Sequence, residues 1–315
     1  MQLRTDYLSR HQSNSIKGFF VLWVLVRHFS EYVESAGGLF WDLHFGQLIV
    51  AMFLFYSGYG VMCSIRDKGM AYVWKMPVHC CLRTYLNFSV AVAIYALLNL
   101  FLGEDLTVRR CLASLLFCDS CGNSTWYIFT IIICYGIAFL SALLSEWKLP
   151  VLVPWLALLV SLPVVVGMSF IKPIWWYDTM LCFPVGMIYA QHRKFFERFT
   201  SQCYSLSLFI CVVVLISLKN SALFARGLAP NLTAIAFTFV LLLVTMKVRM
   251  QSGFLSWCGE RVFPIYIYQR LPMLTFYAIC PSWFSCWQSE LVLLFVCLMV
   301  TLFVARIFTR FEFRM

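Results

Sequence analysis

Apolar segments separated by short polar stretches follow one another along the whole 315-residue chain. Each segment has about 20 residues, the length with which an α-helix crosses the hydrocarbon core of a bilayer. The pattern therefore predicts an all-α fold, a polytopic membrane helix bundle with about 10 transmembrane helices. The predicted spans are residues 16–33, 45–64, 83–102, 125–145, 149–168, 173–191, 203–218, 229–247, 262–280 and 288–308.

The rest of the chain forms short loops and tails, without an internal repeat or a low-complexity stretch. We therefore expect residues 1–315 to form a single integral membrane domain with no separate soluble domain. The longest loop, 103–124, contains an amphipathic stretch around Val108–Cys118 that predicts a short helix. A disulfide between Cys118 and Cys121 is left open, because it depends on whether this loop faces an oxidising compartment.

The composition excludes most other classes of protein. Hydrophobic residues make up 62% of the chain and charged residues 12%, and the mean hydropathy is +0.83. An ordinary soluble domain is about half apolar and about one quarter charged. Disorder requires low hydrophobicity and collagen requires a glycine period, so neither fits. The composition predicts an integral, multi-pass membrane protein.

The basic residues predict the orientation of the spans. If the N-terminus is cytoplasmic, seventeen of the 24 Lys and Arg residues fall on the cytoplasmic side, five fall outside and two lie within spans. This bias predicts that both termini are cytoplasmic. It also accounts for the net charge of +10 through contacts with anionic headgroups, so we expect membrane lipids and no nucleic acid as partners.

Ionisable side chains inside a span are costly, and each is a candidate for function. Lys17 and His28 are eleven residues apart in the first span, which is three helical turns plus about 20°, so both lie on one stripe. The rise of about 16 Å places Lys17 at the cytoplasmic rim and His28 past the middle of the helix. A donor that carries phosphates would bind at Lys17 and extend its reactive end towards His28.

Other interpretations of this helix stay open. Glu31 follows His28 by three residues on nearly the same face, where it either orients the imidazole or receives an incoming acceptor. Lys17 is also typical of a lysine that snorkels to the headgroups, and His28 of a histidine bonded to a neighbouring helix. Arg27 faces about 100° away from His28, towards another helix or the headgroups.

The ninth span contains a second group of polar residues. Gln269 and Arg270 lie about two turns into it, between Pro264 and Pro272. Both prolines break helical hydrogen bonding, which is tolerated in a membrane beside a site. Arg270 needs an acidic partner at this depth, and we expect that partner to be Asp178.

Three further positions have both a structural and a functional interpretation. Ser57-Gly58, at the end of the second span, predicts the close approach of another helix rather than a nucleophile, since a strand–turn–helix setting is missing. Arg83 begins the third span. Its side chain either extends to the lipid headgroups or contacts a bound anion. Trp126 and Tyr127 open the fourth span as an aromatic belt or as a platform for a sugar ring.

Five short motifs occur in order along the chain: Lys17 followed after ten residues by His28, Phe53–Tyr59, Trp126-Tyr127, Phe183–Met187 and Tyr266–Gln269. In these motifs and their order, the chain resembles acyltransferase family 3, the integral membrane O-acyltransferases that modify cell-surface glycans and some other acceptors. The resemblance covers almost the whole chain and agrees with ten helices whose two ends are cytoplasmic.

Two positions depart from the pattern of the family that the chain resembles. Members often have an Arg-x-x-Arg at the start of the third helix, but here Cys80 stands at the first position and only Arg83 is present. If that pair binds the donor, His79 or Lys75 substitutes or binding is weaker. Gln269 stands where many members have His, which argues against proton transfer at this position.

The resemblance implies transfer of an acyl group, with acetyl as the commonest choice, from cytoplasmic acyl-CoA to a hydroxyl of a surface glycan or similar acceptor. Acyl-CoA is then a donor substrate, and neither a bound cofactor nor a metal is expected. Lys17 and Arg83 would bind donor phosphates. His28, with Glu31, would be catalytic, as a general base or as the carrier of the acyl group. On the acceptor side we expect Asp42, Trp126 and Tyr127.

The expected setting is a bacterial cytoplasmic membrane, with glycan-assembly machinery as a partner. Two other functions stay open. A secondary transporter of an anionic or sugar substrate would use His28 and Arg270 as a proton or substrate site, but the sequence has no inverted repeat of the kind many transporters show. A non-catalytic component of a glycan-export complex would show no dependence on acyl-CoA.

Overall fold

The computed structural model describes residues 3–33, 46–145, 150–220, 228–284 and 287–311. Within these ranges the chain forms α-helices joined by turns and short 3-10 or π segments, and no strand, which confirms the predicted all-α class. In chain order these helices are α1 (Arg10–Phe29), α2 (Gly46–Lys68), α3 (Met70–Val73), α4 (Arg83–Phe101), α5 (Val108–Leu115), α6 (Trp126–Leu144), α7 (Val153–Ile171), α8 (Cys182–Gln191), α9 (Arg193–Gln202), α10 (Tyr204–Asn220), α11 (Ala229–Thr245), α12 (Gly253–Gly259), α13 (Val262–Tyr268), α14 (Arg270–Ile279) and α15 (Trp287–Phe311).

The helices belong to two compact units, each assembled from separate stretches of sequence. Unit 1 comprises residues 1–13, 47–82 and 130–250, and unit 2 comprises residues 14–46, 83–129 and 251–315. In unit 1, α8 packs against α7 and α11, and α10 packs against α11. In unit 2, α13 and α14 both pack against α4 and α15. Most of α1 lies in unit 2, which therefore holds the stripe from Lys17 to His28.

Several of the helices have the length and composition of membrane spans. α9 and α10 are bent by 103° relative to each other, and they form a sixth candidate span, beside the five given below, if they cross the membrane together. These helices define an integral membrane protein, while the count of about 10 and the location of the termini stay predictions. Among the described residues, five helices are long and apolar enough to cross a membrane: Leu48–Lys68, Met70–Phe101, Trp126–Leu144, Pro150–Ile171 and Gln288–Phe311.

The predicted span 173–191 is not one continuous helix. Only α8 is α-helical there, because a 3-10 turn and further turns occupy the residues before it. Asn231 satisfies this irregular backbone, since its side-chain amide accepts a hydrogen bond from the amide of Leu181 and donates one to the carbonyl of Tyr177, both at 2.9 Å. Side-chain bonds of this kind allow irregular backbone at membrane depth.

The predicted span 262–280 is divided into α13 and α14 at Gln269. Pro272 causes this division, because proline has no N–H to donate to the carbonyl of Tyr268, four residues earlier. The division leaves Arg270 as the first residue of α14.

The close approach predicted at the end of the second span is present in unit 1. A Cβ on Gly58 would lie 1.9 Å from the carbonyl oxygen of Phe183, and a Cβ on Gly186 would lie 2.2 Å from that of Phe55. The two motifs that contain these glycines therefore pack against each other backbone to backbone. This contact confirms the prediction that the small residues allow two segments to pack closely.

A second close crossing positions α1 in unit 2. A Cβ on Gly18 would lie 1.8 Å from the carbonyl oxygen of Leu255, and a Cβ on Gly259 would lie 1.8 Å from that of Asn14. No side chain fits at such distances, so the backbone of α1 rests directly on α12.

Apolar side chains hold the far end of α1 in the core of unit 2. Leu25 and Phe29 lie four residues apart and present one face of α1 to this core. Their partners come from α14, from the 3-10 segment after it and from α15. The buried members of this cluster are Leu25, Phe29, Met273, Phe284, Leu293 and Cys297.

The helix predicted in the 103–124 loop is α5, which the side chain of Thr107 caps by accepting a hydrogen bond from the amide of Arg110. Cys118, after α5, is exposed, whereas Cys121 is buried, and both are free thiols among the described residues.

Replacement of Gly259 tests the crossing of α1 and α12. Gly259→Ala places a methyl group against the carbonyl of Asn14, and overpacking of this kind destabilises a protein by about 1–3 kcal/mol. Gly253→Ala, on the same helix, is the matched control, because its Cβ meets no described atom within 4 Å. Thermal unfolding in detergent should show a lower midpoint for the first variant alone. Equal midpoints would contradict the close crossing.

Candidate active site

The last turn of α1 places a carboxylate beside His28. α1 ends at Phe29, and the chain turns so that the amide of Glu31 donates to the carbonyl of His28 at 3.2 Å. This turn brings Oε1 of Glu31 to 3.2 Å from Nδ1 of His28. The side chain of His28 is 12% exposed and that of Glu31 39% exposed. A carboxylate in this position fixes the tautomer and the orientation of an imidazole ring.

Arg270 joins this pair from the start of α14. Its Nη2 atom lies 2.9 Å from Nδ1 of His28 and also donates to Oε2 of Glu31. The predicted pairing of Arg270 with Asp178 is therefore wrong. The reason is that α1 and α14 meet through the core of unit 2, which brings Arg270 to the acid that follows α1.

The two contacts at Nδ1 of His28 represent alternative proton positions. A protonated Nδ1 donates to Glu31, and its Nε2 then carries the basic lone pair. An unprotonated Nδ1 accepts from Arg270 instead, and the proton lies on Nε2. In either state Nε2 makes no hydrogen bond to a described residue. This nitrogen is therefore the atom of the ring that is available for chemistry.

Aromatic rings continue from His28 towards the start of α6. The ring centroids of His28 and Tyr266 are 6.4 Å apart, and those of Tyr266 and Tyr127 are 5.3 Å apart. Trp126 follows at 6.2 Å from Tyr127. Tyr266 belongs to one of the five sequence motifs but was not among the predicted site residues. Its spacing of four residues from Arg270 is the signal that places both on one face.

Lys17 lies about three turns before His28, near the middle of α1, which begins at Arg10. It adjoins Gly18, which crosses α12 at Leu255, whereas the C-terminal end of α1 meets Tyr266 and Arg270. From its N-terminal half to its C-terminal end, α1 therefore contacts first α12 and then α13 and α14. Lys17 is half-buried, about 16 Å along the helix from His28.

Arg83 begins α4, which runs in the same direction as α1. Asn87 lines a small cavity together with Phe263, at the start of α13. Further along, the hydroxyl of Tyr95 donates to the carbonyl of Ile267 at 2.9 Å. Arg83 precedes Tyr95 by twelve residues, or about 18 Å. Arg83 and Lys17 therefore lie at the same end of unit 2. Each is more than three helical turns away from His28, measured along its own helix.

The remaining predicted residues lie around this arrangement or outside it. Arg27 is exposed, and its guanidinium donates to Oγ of Ser30 at 2.9 Å. Gln269 is fully buried, and its Nε2 donates to the carbonyl of Tyr266 at 3.0 Å. Asp42 lies outside the described residues. Among those that are described, no three His, Cys, Asp or Glu side chains are grouped as metal ligands.

The fold and this site define an integral membrane protein with a histidine–carboxylate pair. Residues 10–310 match the family described as "Acyltransferase domain", acyltransferase family 3. The chain belongs to this family, as its motifs predicted, and membership supports an acyltransferase activity. The comparison with curated proteins found no match. The comparison with solved structures found none either.

Tyr95→Phe tests the contact that aligns α4 with α13. The change removes the hydroxyl that donates to Ile267 and keeps the ring, so we expect a loss of about 1 kcal/mol in unfolding free energy. Tyr277→Phe is the matched control, since Tyr277 is 41% exposed. Thermal unfolding of both variants in detergent provides the measurement. A Tyr95 variant as stable as the control would argue against the contact.

Proposed function

We propose that this protein is a membrane O-acyltransferase that moves an acyl group, acetyl in the first instance, from cytoplasmic acyl-CoA to a hydroxyl of a surface glycan or similar acceptor. One observation carries the proposal: in a chain of this family, Glu31 lies 3.2 Å from Nδ1 of a largely buried histidine. A histidine oriented in this way is suited to general-base catalysis.

The reaction balances with His28 as the proton carrier. Nε2 of His28 takes the proton of the acceptor hydroxyl as the oxygen attacks the thioester carbonyl. The carbon–sulfur bond then breaks, and the proton passes from the imidazolium to the thiolate of CoA. Glu31 stabilises the imidazolium between these two steps by accepting from Nδ1.

The donor phosphates bind at the other end of unit 2. Lys17 and Arg83 lie there, and both supply charge-assisted hydrogen bonds to phosphate. The extended pantetheine arm of CoA separates its phosphates from its thioester, which suits a site with cations several turns away from the base. Neither a bound cofactor nor a metal takes part in this scheme.

The topology of the proposed enzyme follows from its charges. About 10 spans form one integral membrane domain with both termini cytoplasmic, in the cytoplasmic membrane of a bacterium. The acceptor comes from the outer side, where Asp42, Trp126 and Tyr127 bind it, and glycan-assembly machinery delivers it. The row of rings from His28 to Trp126 supports this route.

Replacement of His28 tests the proposed base. His28→Gln preserves much of the side-chain volume but cannot carry the proton, so we expect loss of acylation by about 100-fold or more. Glu31→Gln should lower the rate less, because the base remains. Mass spectrometry of surface glycans and small molecules from expressing cells would detect the loss of one acyl unit.

His11→Ala is the matched control for this experiment, because His11 is an exposed histidine at the other end of α1. It should leave acylation unchanged. If His28→Gln is expressed and folded and the glycans stay acylated, the proposed function is wrong.

Replacement of the two cations tests the proposed donor end. Lys17→Gln and Arg83→Gln should each raise KM for acetyl-CoA by about 10-fold, since a hydrogen bond to a charged group contributes about 1.5–3 kcal/mol. Because neither residue lies at the His28 level, kcat should change little. Lys17→Arg keeps the charge and is the control. Release of the CoA thiol by membrane vesicles provides the rates, and an unchanged KM would place the donor elsewhere.

A further inference from the structure

Glu31 has few contacts that hold its side chain. It follows the end of α1, is 39% exposed, and bonds through its carboxylate only to His28 and Arg270 among the described residues. A carboxylate in such a position would otherwise turn towards solvent, because side-chain rotamer freedom favours it.

The two oxygens of this carboxylate are divided between two partners. Oε2 accepts from Nη2 of Arg270, and Oε1 therefore faces Nδ1 of His28. The arginine itself is held on α14, whose Met273 packs in one core with Leu25 and Phe29 of α1. Arg270 is thus the less exposed partner, at 21% against 39% for Glu31, and it begins a packed helix, whereas Glu31 lies beyond the end of α1.

From this geometry we propose that Arg270 is a positioning residue, which clamps Glu31 so that its free oxygen orients His28. The inference rests on the proposed acyl transfer, and it assigns Arg270 no contact with donor or acceptor. When Nδ1 donates to the oxygen of Glu31 that this clamp positions, the basic lone pair of His28 is on Nε2.

A purely structural role of Arg270 predicts a different result. An arginine that serves only to hold α14 against α1 would affect the amount of folded protein and its unfolding. A positioning residue changes kcat in the protein that is folded, and it leaves KM for the donor unchanged because the donor cations lie elsewhere.

The experiment measures release of the CoA thiol from acetyl-CoA by membrane vesicles of expressing cells, which supply the acceptor. We expect Arg270→Ala to lower kcat by about 10- to 100-fold, the effect typical of removing an orienting partner, with KM for acetyl-CoA unchanged. Added guanidinium ion should restore part of the rate of Arg270→Ala. It should restore none of the rate of Glu31→Gln.

Arg27→Ala is the matched control. It removes an arginine next to His28 in sequence whose guanidinium bonds Ser30 instead of the imidazole. We expect its kcat to be close to that of the unchanged protein. If Arg270→Ala behaves like Arg27→Ala, or if its KM rises while kcat is kept, the proposed positioning is wrong.

A double replacement keeps the test informative if Arg270→Ala does not fold. Glu31→Gln with Arg270→Gln removes both charges together, which avoids an unpaired charge. Since Arg270 acts through Glu31, the double variant should be no slower than Glu31→Gln alone, whereas independent roles would multiply the two losses. If the unchanged protein itself releases no CoA, the proposed function fails, and that result is distinct from failure of the clamp alone.

Discussion

The ion pair between Arg270 and Glu31 is the interaction on which the arrangement of the site depends. Each residue lies at the helix end that disfavours its charge: Arg270 is the first residue of α14, at the positive end of that helix, and Glu31 follows the negative end of α1. The guanidinium of Arg270 is also only 21% exposed, and an unpaired charge that is so largely buried is costly. The pair offsets both penalties, because each residue supplies the charge that the other helix end favours. As a consequence, Nδ1 of His28 lies within hydrogen-bonding distance of both Glu31 and Arg270.

The glycine crossing in the N-terminal half of α1 determines how far along the helix this pair forms. Gly18 and Gly259 allow the backbones of α1 and α12 to touch, and such contacts tolerate no shift along the helix. Because an α-helix rises by about 1.5 Å per residue, the crossing at Gly18 fixes how far along unit 2 His28 lies. A change of one residue in this register would move the imidazole by about 1.5 Å and turn it by about 100°, away from Arg270. The chemistry at the C-terminal end of α1 therefore depends on packing in its N-terminal half.

The sequence predicted those features that a single helix determines. The Lys17–His28 stripe, the position of Glu31 and the break between Pro264 and Pro272 follow from periodicity and from missing N–H groups, and α5 follows from its amphipathic pattern. The partner of Arg270 was not predictable in this way, because Glu31 and Arg270 are 239 residues apart and meet only through the shared core of α1, α14 and α15. The irregular backbone before α8 was missed for the same reason, since Asn231 on α11 supplies its hydrogen bonds.

Gln269 connects these observations, since it lies at the break between two residues that both contact His28. Tyr266 places its ring against the imidazole from α13, and Arg270 bonds the imidazole from α14. The amide of Gln269 donates to the carbonyl of Tyr266 and so supports the backbone where proline has interrupted the helix. A side-chain amide neither gains nor loses a proton at ordinary pH, so this position cannot transfer protons as a histidine does. Proton transfer in the proposed reaction therefore falls to His28 alone, and the α13–α14 junction contributes by holding the neighbours of that ring in place.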